Sequence, residues 1–212
     1  MAELDLHEQE QVDAFKAWWK ENGNWIIGIV LLGALAFAGN QYWRNHQASQ
    51  AADAAKLYGE VLQQVESRDA KRIGDAADAL ANRYGDSAYA PRAQLLAAQA
   101  SLQARDAARA KVQLQWVVEH AGETALQDTA RLKLASVLLD EKQYDAALQQ
   151  LAAAHPASFS GLYADLKGDV LLAMGKTADA RVAYQLALDK TDAKSTYRNL
   201  IQLKLDGLGR AQ

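Results

Sequence analysis

Metal or acid–base chemistry would draw first on histidine, and His7, His46, His120 and His155 are scattered along the 212 residues. None has a second histidine three or four positions away, and no carboxylate cluster stands beside one. The spacing therefore supplies neither a zinc-type ligand set nor an imidazole held for proton transfer. All four read as surface or interface histidines. The chain has no cysteine, which removes thiolate ligands, disulfides and a cysteine nucleophile in any compartment. GxGxxG, HExxH, GxSxG and the phosphate loop GxxxxGKS/T are all missing, and no nucleophile, base and orienting group fall at a workable spacing. Asp140-Glu141-Lys142 and similar charged pairs sit at the ends of apolar runs, where solvated turns account for them. The expected chemistry is binding by a non-enzymatic protein, with no metal, cofactor or small-molecule substrate.

A surface that binds must be held by something, and the composition says by helices. Half the residues are hydrophobic and only two are proline, while alanine makes up roughly a fifth of the chain, which favours an all-α protein over a sandwich or a disordered linker. The formal charge of −3 is unevenly spread. Within residues 1–24, Lys16 and Lys20 face Glu3, Asp5, Glu8, Glu10, Asp13 and Glu21, which gives −4 there and leaves +1 for the rest. A body so close to neutral, without a Lys/Arg stripe, is not expected to bind nucleic acid.

One segment is suited to lipid. Trp25 to Gly39 is wholly apolar, and no charge occurs between Glu21 and Arg44. As a helix, Asn22 to Trp43 would be roughly 33 Å long, about the thickness of a hydrocarbon core. Trp25 marks one interface, Tyr42 and Trp43 the other, and Arg44 is a charged stop. Ala36-Phe37-Ala38 before Gly39 also fits a signal cleavage site, yet the preceding region is long and acidic rather than short and basic. Residues 25–43 are thus expected to be a permanent transmembrane helix. Lys16 and Lys20 against Arg44 and Lys56 is nearly a draw for orientation, with the closer pair favouring an N-terminus inside. Before the span, Val12, Phe15 and Trp19 recur at helical spacing beside Trp18, and Asn22-Gly23 predict a glycine stop to a short amphipathic helix in the tail, residues 1–24.

Past Arg44, residues 44–212 form a second domain of Ala- and Leu-rich amphipathic runs divided by short breaks, the pattern of antiparallel helix pairs. Ala110, Ala147 and Ala180 each begin the second helix of a pair, with Leu114, Leu151 and Tyr184 four residues later and Val117, Ala154 and Ala187 three beyond those. Twelve residues earlier stand Ala98, Ala135 and Gly168, small enough for close helix crossing. The intervals from Ala110 to Ala147 and from Ala147 to Ala180 are 37 and 33 residues, on either side of the 34 of a tetratricopeptide repeat. Residues 48–68 and 70–84 give a weaker pair, with Ala76 and Leu80 in the second helix and a first helix running on from the span. Tyr197 to Leu208 is expected to cap the α-solenoid through Leu200, Ile201, Leu203, Leu205 and Leu208.

In such arrays the first helix of each pair lines a concave groove. Its groove-facing positions here would be Arg92, Leu95, Gln99, Leu102 and Gln103, then Thr129, Leu132, Ser136 and Leu139, then Leu162, Asp165, Asp169 and Leu172. Leucines at intervals suit the side chains of an extended peptide, and the amides and carboxylates its backbone. Any one of these leucines could equally pack into the neighbouring repeat.

Glu10-Gln11-Val12-Asp13-Ala14 with Lys16, Trp18-Trp19, Glu21-Asn22-Gly23, a single span, then Tyr42-Trp43 and His46, resembles the N-terminal region of the YfgM family, ancillary subunits of the SecYEG translocon. Ala164-Asp165-Leu166-Lys167-Gly168-Asp169 with Leu171-Leu172 and Gly175, and Leu203-Lys204-Leu205 with Leu208, are similar to the family's C-terminal signatures. Residues 60–130 match mainly in pattern. The resemblance implies an inner-membrane protein with a cytoplasmic N-terminus and a periplasmic repeat domain. It further implies association with SecYEG, with translocating polypeptides and with a membrane-anchored periplasmic chaperone related to prolyl isomerases, and a regulatory role for the tail. It brings no catalytic residues. A membrane-anchored adaptor that scaffolds an envelope complex without holding unfolded chains is the alternative.

Overall fold

The computed structural model describes the backbone of residues 2–209 and the side chains of residues 8–209. Glu3, Asp5 and His7, on which part of the tail and histidine readings fall, have side chains outside that range. The described residues form nine α-helices: α1 (Ala2–Ser67), α2 (Ala70–Tyr84), α3 (Tyr89–Gln103), α4 (Ala107–His120), α5 (Thr124–Asp140), α6 (Tyr144–Leu151), α7 (Ser160–Ala173), α8 (Thr177–Lys190) and α9 (Tyr197–Gly207). A 3-10 turn at Ala157–Phe159 precedes α7. The chain divides into two compact units, Met1–Ala51 and Ala52–Gln212.

In the first unit, the helical backbone carries an apolar stretch long enough to cross a membrane. Its large side chains are bare: Trp25 is 71% exposed, Leu35 70% and Tyr42 75%. A bare apolar cylinder of this length would be insoluble in water and is at home in hydrocarbon. The expected stop at Asn22-Gly23 does not occur, because α1 passes through both residues. The Asn22 amide donates to the Trp18 carbonyl at 3.0 Å within the helix. A Cβ on Gly23 would lie 3.0 Å from the Trp19 indole nitrogen, so this glycine makes room for a tryptophan instead of ending the helix. The boundaries expected at residues 24 and 43 fall inside α1.

The second unit is the helical repeat. Its helices pack in sequence along the chain, α2 on α3, α3 on α4, and so on to α8 on α9, with α5 also touching α7 across the array. Ala110, Ala147 and Ala180 are fully buried, each at the fourth position of its helix. Ala98 and Ala135 are equally buried and share a core cluster with Leu114 and Leu151. At Gly168, a built Cβ would stand 2.5 Å from the Tyr184 ring, so the backbone of α7 lies directly on that ring. The small-on-large crossing read from spacing is seen directly at Gly168 and Tyr184, and the other two pairs bury their small and large residues in one cluster.

The fourth pair obeys the same spacing but in a register different from the one expected. Ile73, not Ala76, sits 37 residues before Ala110; Ile73 is 2% exposed whereas Ala76 is only partly buried. At the equivalent crossing positions stand Val61 and Ala77, both fully buried and in one cluster. Large and small have changed places, which is why a search for a small residue on the first helix finds none.

Each turn within a pair places one residue at positive φ, again in register: Arg68 (56°), Arg105 (62°), Lys142 (61°) and Gly175 (76°). In the last three the following N–H reaches five residues back, Asp106 to Ser101, Gln143 to Leu138 and Lys176 to Leu171, at 2.8, 2.8 and 2.9 Å. These are left-handed helix C-caps, for which glycine is the unstrained choice. Three of the four are instead basic. Arg105→Gly or Lys142→Gly is expected to stabilise the protein by about 0.5–1 kcal/mol, the relief of left-handed strain less the entropy cost of glycine. Thermal unfolding of the detergent-solubilised chain should then shift upward by about 2–3 °C.

Two expectations fail for local reasons. Ala154 is exposed because α6 is only eight residues long and has ended before it; Pro156 disfavours a helical conformation at His155, and the chain leaves the helix ahead of it. Of the capping leucines, Leu200 and Leu203 are 46% and 69% exposed, while Ile201 is fully buried and Leu205 and Leu208 pack beside it. The cap buries a narrow stripe rather than the whole run of leucines.

Candidate partner-binding site

The thirteen expected groove residues come from α3, α5 and α7, and the fold treats them differently. Leu95, Leu102, Leu132 and Leu139 are partly buried against the largest core cluster, so their side chains serve the joint between repeats. Arg92 is engaged: its guanidinium holds both oxygens of Glu123, at 2.8 and 2.9 Å, and also donates to the Ala88 carbonyl. The Thr129 hydroxyl donates to Ala125 O on its own helix at 2.7 Å. Leu162 and Leu172 are exposed, 39% and 40%, as are Gln99, Gln103 and Ser136.

Asp165 departs furthest from the expectation of a groove carboxylate. It is 2% exposed. One of its oxygens accepts from the Tyr197 hydroxyl at 2.6 Å and from Lys204 Nζ at 2.8 Å. Lys204 also donates to Asp169 at 2.7 Å, and the other Asp169 oxygen accepts from the Tyr184 hydroxyl at 2.7 Å. Lys204 Nζ further lies 5.6 Å from the centroid of the Tyr184 ring, within range of a cation–π attraction. Two carboxylates on α7, a tyrosine on α8, and a tyrosine and lysine on α9 thus form one network. Arg198 donates to the Leu188 and Thr191 carbonyls at the end of α8, and Arg181 to the Leu208 and Gly209 carbonyls at the end of α9. The α7 acids fasten the cap; they do not face an open groove.

Spacing alone could not show this, since the ties from α9 to α7 join partners 32 to 39 residues apart. A related tie links Tyr163 of α7 to Asp128 of α5, hydroxyl to carboxylate at 2.7 Å, with the imidazole of His155 stacked 3.9 Å from the Tyr163 ring. His120 stacks on Trp116 at 4.5 Å and His46 on Tyr42 at 6.4 Å. No group of three or more metal-ligating side chains occurs among the described residues.

These tyrosines set an alkaline limit. Burial, then the hydrogen bonds to Asp128, Asp169 and Asp165, push the hydroxyls of Tyr163, Tyr184 and Tyr197 well above their usual 10. Lys204 is also raised above 10.5: burial opposes its charge, but the bonds to Asp165 and Asp169 together outweigh that. A folded-state pKa above the unfolded one gives stability that is complete below the unfolded value and is lost as pH rises. The contribution of these groups is therefore expected to be constant from pH 7 to 9 and to fall steeply beyond about pH 10. Tyr184→Phe, although less stable at pH 8, should show a shallower decline in unfolding temperature above pH 10, measured by circular dichroism.

Two of the recesses among the described residues bear on partner binding. One, of about 330 Å³, lies between the end of α1, α2 and α3 and is lined by Val65, Arg68, Ile73, Leu96, Gln99, Ala100, Gln103 and Ala104. It contains two of the expected groove residues, with Arg68 as a cation that sequence reasoning missed. The repeat register would have pointed to Arg68, five residues before Ile73, had Ile73 been in the pattern. The other, about 530 Å³, is a mostly apolar furrow among α4, α5 and α6. Trp116, Leu134, Leu138, Ala146 and the 71% exposed Val112 line it, and Lys111 and Glu119 stand with them. That furrow includes second-helix residues, which the groove reading did not consider.

An array of antiparallel helix pairs, with a bare apolar helix before it in the chain, defines a helical-repeat protein with a membrane-compatible N-terminal helix. A family model described as a tetratricopeptide repeat-like domain matches residues 16–210. The chain is 34% identical over 204 residues to the Neisseria gonorrhoeae protein named ancillary SecYEG translocon subunit, covering 96% of this chain and 98% of that one. To the Escherichia coli protein of the same name it is 30% identical over 206 residues, with 97% and 98% covered. The Haemophilus influenzae protein of that name is 28% identical over 204 residues. The chain belongs to this family of ancillary SecYEG translocon subunits.

Proposed function

We propose that the protein is a non-enzymatic, single-span accessory subunit of the SecYEG translocon in the inner membrane, with its N-terminus in the cytoplasm and its repeat domain in the periplasm. There the repeat domain receives translocated polypeptides and passes them to periplasmic chaperones, among them a membrane-anchored chaperone related to prolyl isomerases. The tail before the span, with Phe15, Trp18 and Trp19 exposed, carries a regulatory contact. The observation that carries this reading is the similarity at 34% and 30% identity over nearly the whole of both chains, which includes the apolar helix as well as the repeats. The exposed Gln99, Gln103, Ser136, Leu162 and Leu172 are the residues left to touch a passing chain.

A photo-crosslinking amino acid at Gln99 and at Ser136 in the full-length protein, during synthesis of a secreted substrate, tests it. Adducts with SecYEG, the nascent chain and the chaperone are expected. Protease added to cells with a permeabilised outer membrane should digest the repeat domain; its protection would reverse the orientation. A folded-partner adaptor is the second reading, favoured by the apolar furrow at Val112 and Trp116. Adducts with folded envelope proteins alone, never with nascent chains, would choose it.

A further inference from the structure

The recess between α1, α2 and α3 combines three kinds of chemistry. Val65, Ile73, Leu96 and Ala100 give it an apolar lining. Gln99 and Gln103, one helical turn apart and both exposed, put two primary amides at it. Arg68 lines it as well, and its guanidinium has no anionic partner among the described residues. The adjacent Asp69 is occupied elsewhere: one oxygen accepts the Lys71 and Arg72 N–H groups at 3.0 and 3.2 Å, and the other faces the Arg72 side chain at 3.4 Å.

Arg68 is also held at a φ of 56°, in a turn position that glycine fills in the last repeat. The turn itself does not require arginine. Arg105, at 62° and next to the recess-lining Ala104, repeats the choice one pair later. Lys142 takes the same φ away from this recess, so what sets Arg68 apart is its place in the lining rather than its backbone.

We propose that this recess is a subsite for an extended polypeptide segment in which an acidic side chain adjoins a large apolar one. The apolar side chain fills the lining, and Arg68 takes the carboxylate, with Arg105 adding to the local potential. Each glutamine offers a donor and an acceptor to the peptide backbone, which suits an extended chain; a helix has already spent those groups on itself. A guanidinium binds a carboxylate through two parallel bonds, so the acidic residue is read by shape as well as charge. The carboxylate belongs to an interior residue, because a chain being translocated presents interior segments before its end. The proposal rests on the reading that the repeat domain holds such chains.

Fluorescence anisotropy of the full-length protein in detergent micelles is the test, with end-blocked peptides that differ only at the centre: Phe-Glu, Phe-Gln and Ala-Glu. The Phe-Glu peptide should bind about tenfold more tightly than either of the others. Arg68→Gly should abolish the preference for Glu over Gln while raising the unfolding temperature, so that lost binding is not lost folding; Arg68→Lys should keep part of the preference. Equal binding of the Glu and Gln peptides, or a preference that survives Arg68→Gly, overturns the subsite and leaves chain holding intact. A peptide whose sole carboxylate is a free C-terminus, if it outcompetes Phe-Glu, overturns the interior-segment assignment. Binding of none of the peptides sinks the holding function and the subsite with it.

Discussion

Lys204→Met is expected to lower the stability of the repeat domain by about 2–3 kcal/mol. The ammonium neutralises two carboxylates, Asp165 at 2.8 Å and Asp169 at 2.7 Å, and Asp165 is almost wholly out of water. Removing one member of a buried pair costs about 3–5 kcal/mol, because the other charge stays where it cannot be solvated. The Lys204 side chain keeps 25% of its exposure, so water offsets part of that cost and the lower figure applies. The unfolding temperature should fall by about 5–10 °C, as the protein has roughly 150–200 residues in its folded body. Adding Asp165→Leu to Lys204→Met should cost less than the two changes summed, since the second removes the stranded charge. A shift within 1 °C for Lys204→Met would show that Tyr197 and Tyr184 hold the acids without the lysine.

The second large effect is at Gly168. A side chain there meets the Tyr184 ring at 2.5 Å, and the ring cannot swing away while its hydroxyl is bonded to Asp169 and Lys204 lies over its face. Gly168→Ala gains about 1 kcal/mol of helix propensity but loses more to overpacking, for a net loss of about 1 kcal/mol. Gly168→Leu has no such offset and should lose about 3 kcal/mol or fail to fold. The other repeats show the remedy, because Ala98 with Leu114 and Ala135 with Leu151 make the same crossing. Gly168→Ala with Tyr184→Leu should therefore recover most of the packing, less the hydroxyl bond to Asp169. Chemical denaturation of the four variants measures the coupling. If Tyr184→Leu does not lessen the cost of Gly168→Ala, the two residues are not the crossing pair.

Much of this fold is visible in the sequence, because its signals are local or periodic. The span announces itself by a run of apolar residues between charges, and the pairs by small and large residues at fixed offsets. The register of the first pair is hidden where Val61 and Ala77 exchange sizes, which erases the small residue that a reader looks for. Asn22-Gly23 reads as the stop of a short tail helix, yet glycine ends a helix only when it takes a left-handed conformation, and here Gly23 accommodates Trp19 inside α1. The candidate groove was less legible. Helical period shows that Asp165 and Gln99 share a face of their helices, but not that α9 folds back to cover one and leaves the other bare. Polar ties spanning more than thirty residues, such as Tyr197 to Asp165, have no sequence pattern of their own. The positions of Arg68, Arg105 and Lys142 follow from the period, yet basic residues do not advertise a turn as Gly175 does.

The exchange of large and small in the first pair has a consequence for assembly of the chain. Helices built to one pattern can dock on the wrong neighbour, and swapped or shifted pairing is the usual error of repeat proteins as they emerge and fold. Were α1 to meet α4 in place of α2, Val61 would collide with Leu114; were α3 to take α2 rather than α4 as its crossing partner, with Ala98 set against Ala77, a void would be left between them. Both mistakes carry a packing cost that the native order avoids. The irregular repeat thus works as an address, marking which end of the array is first.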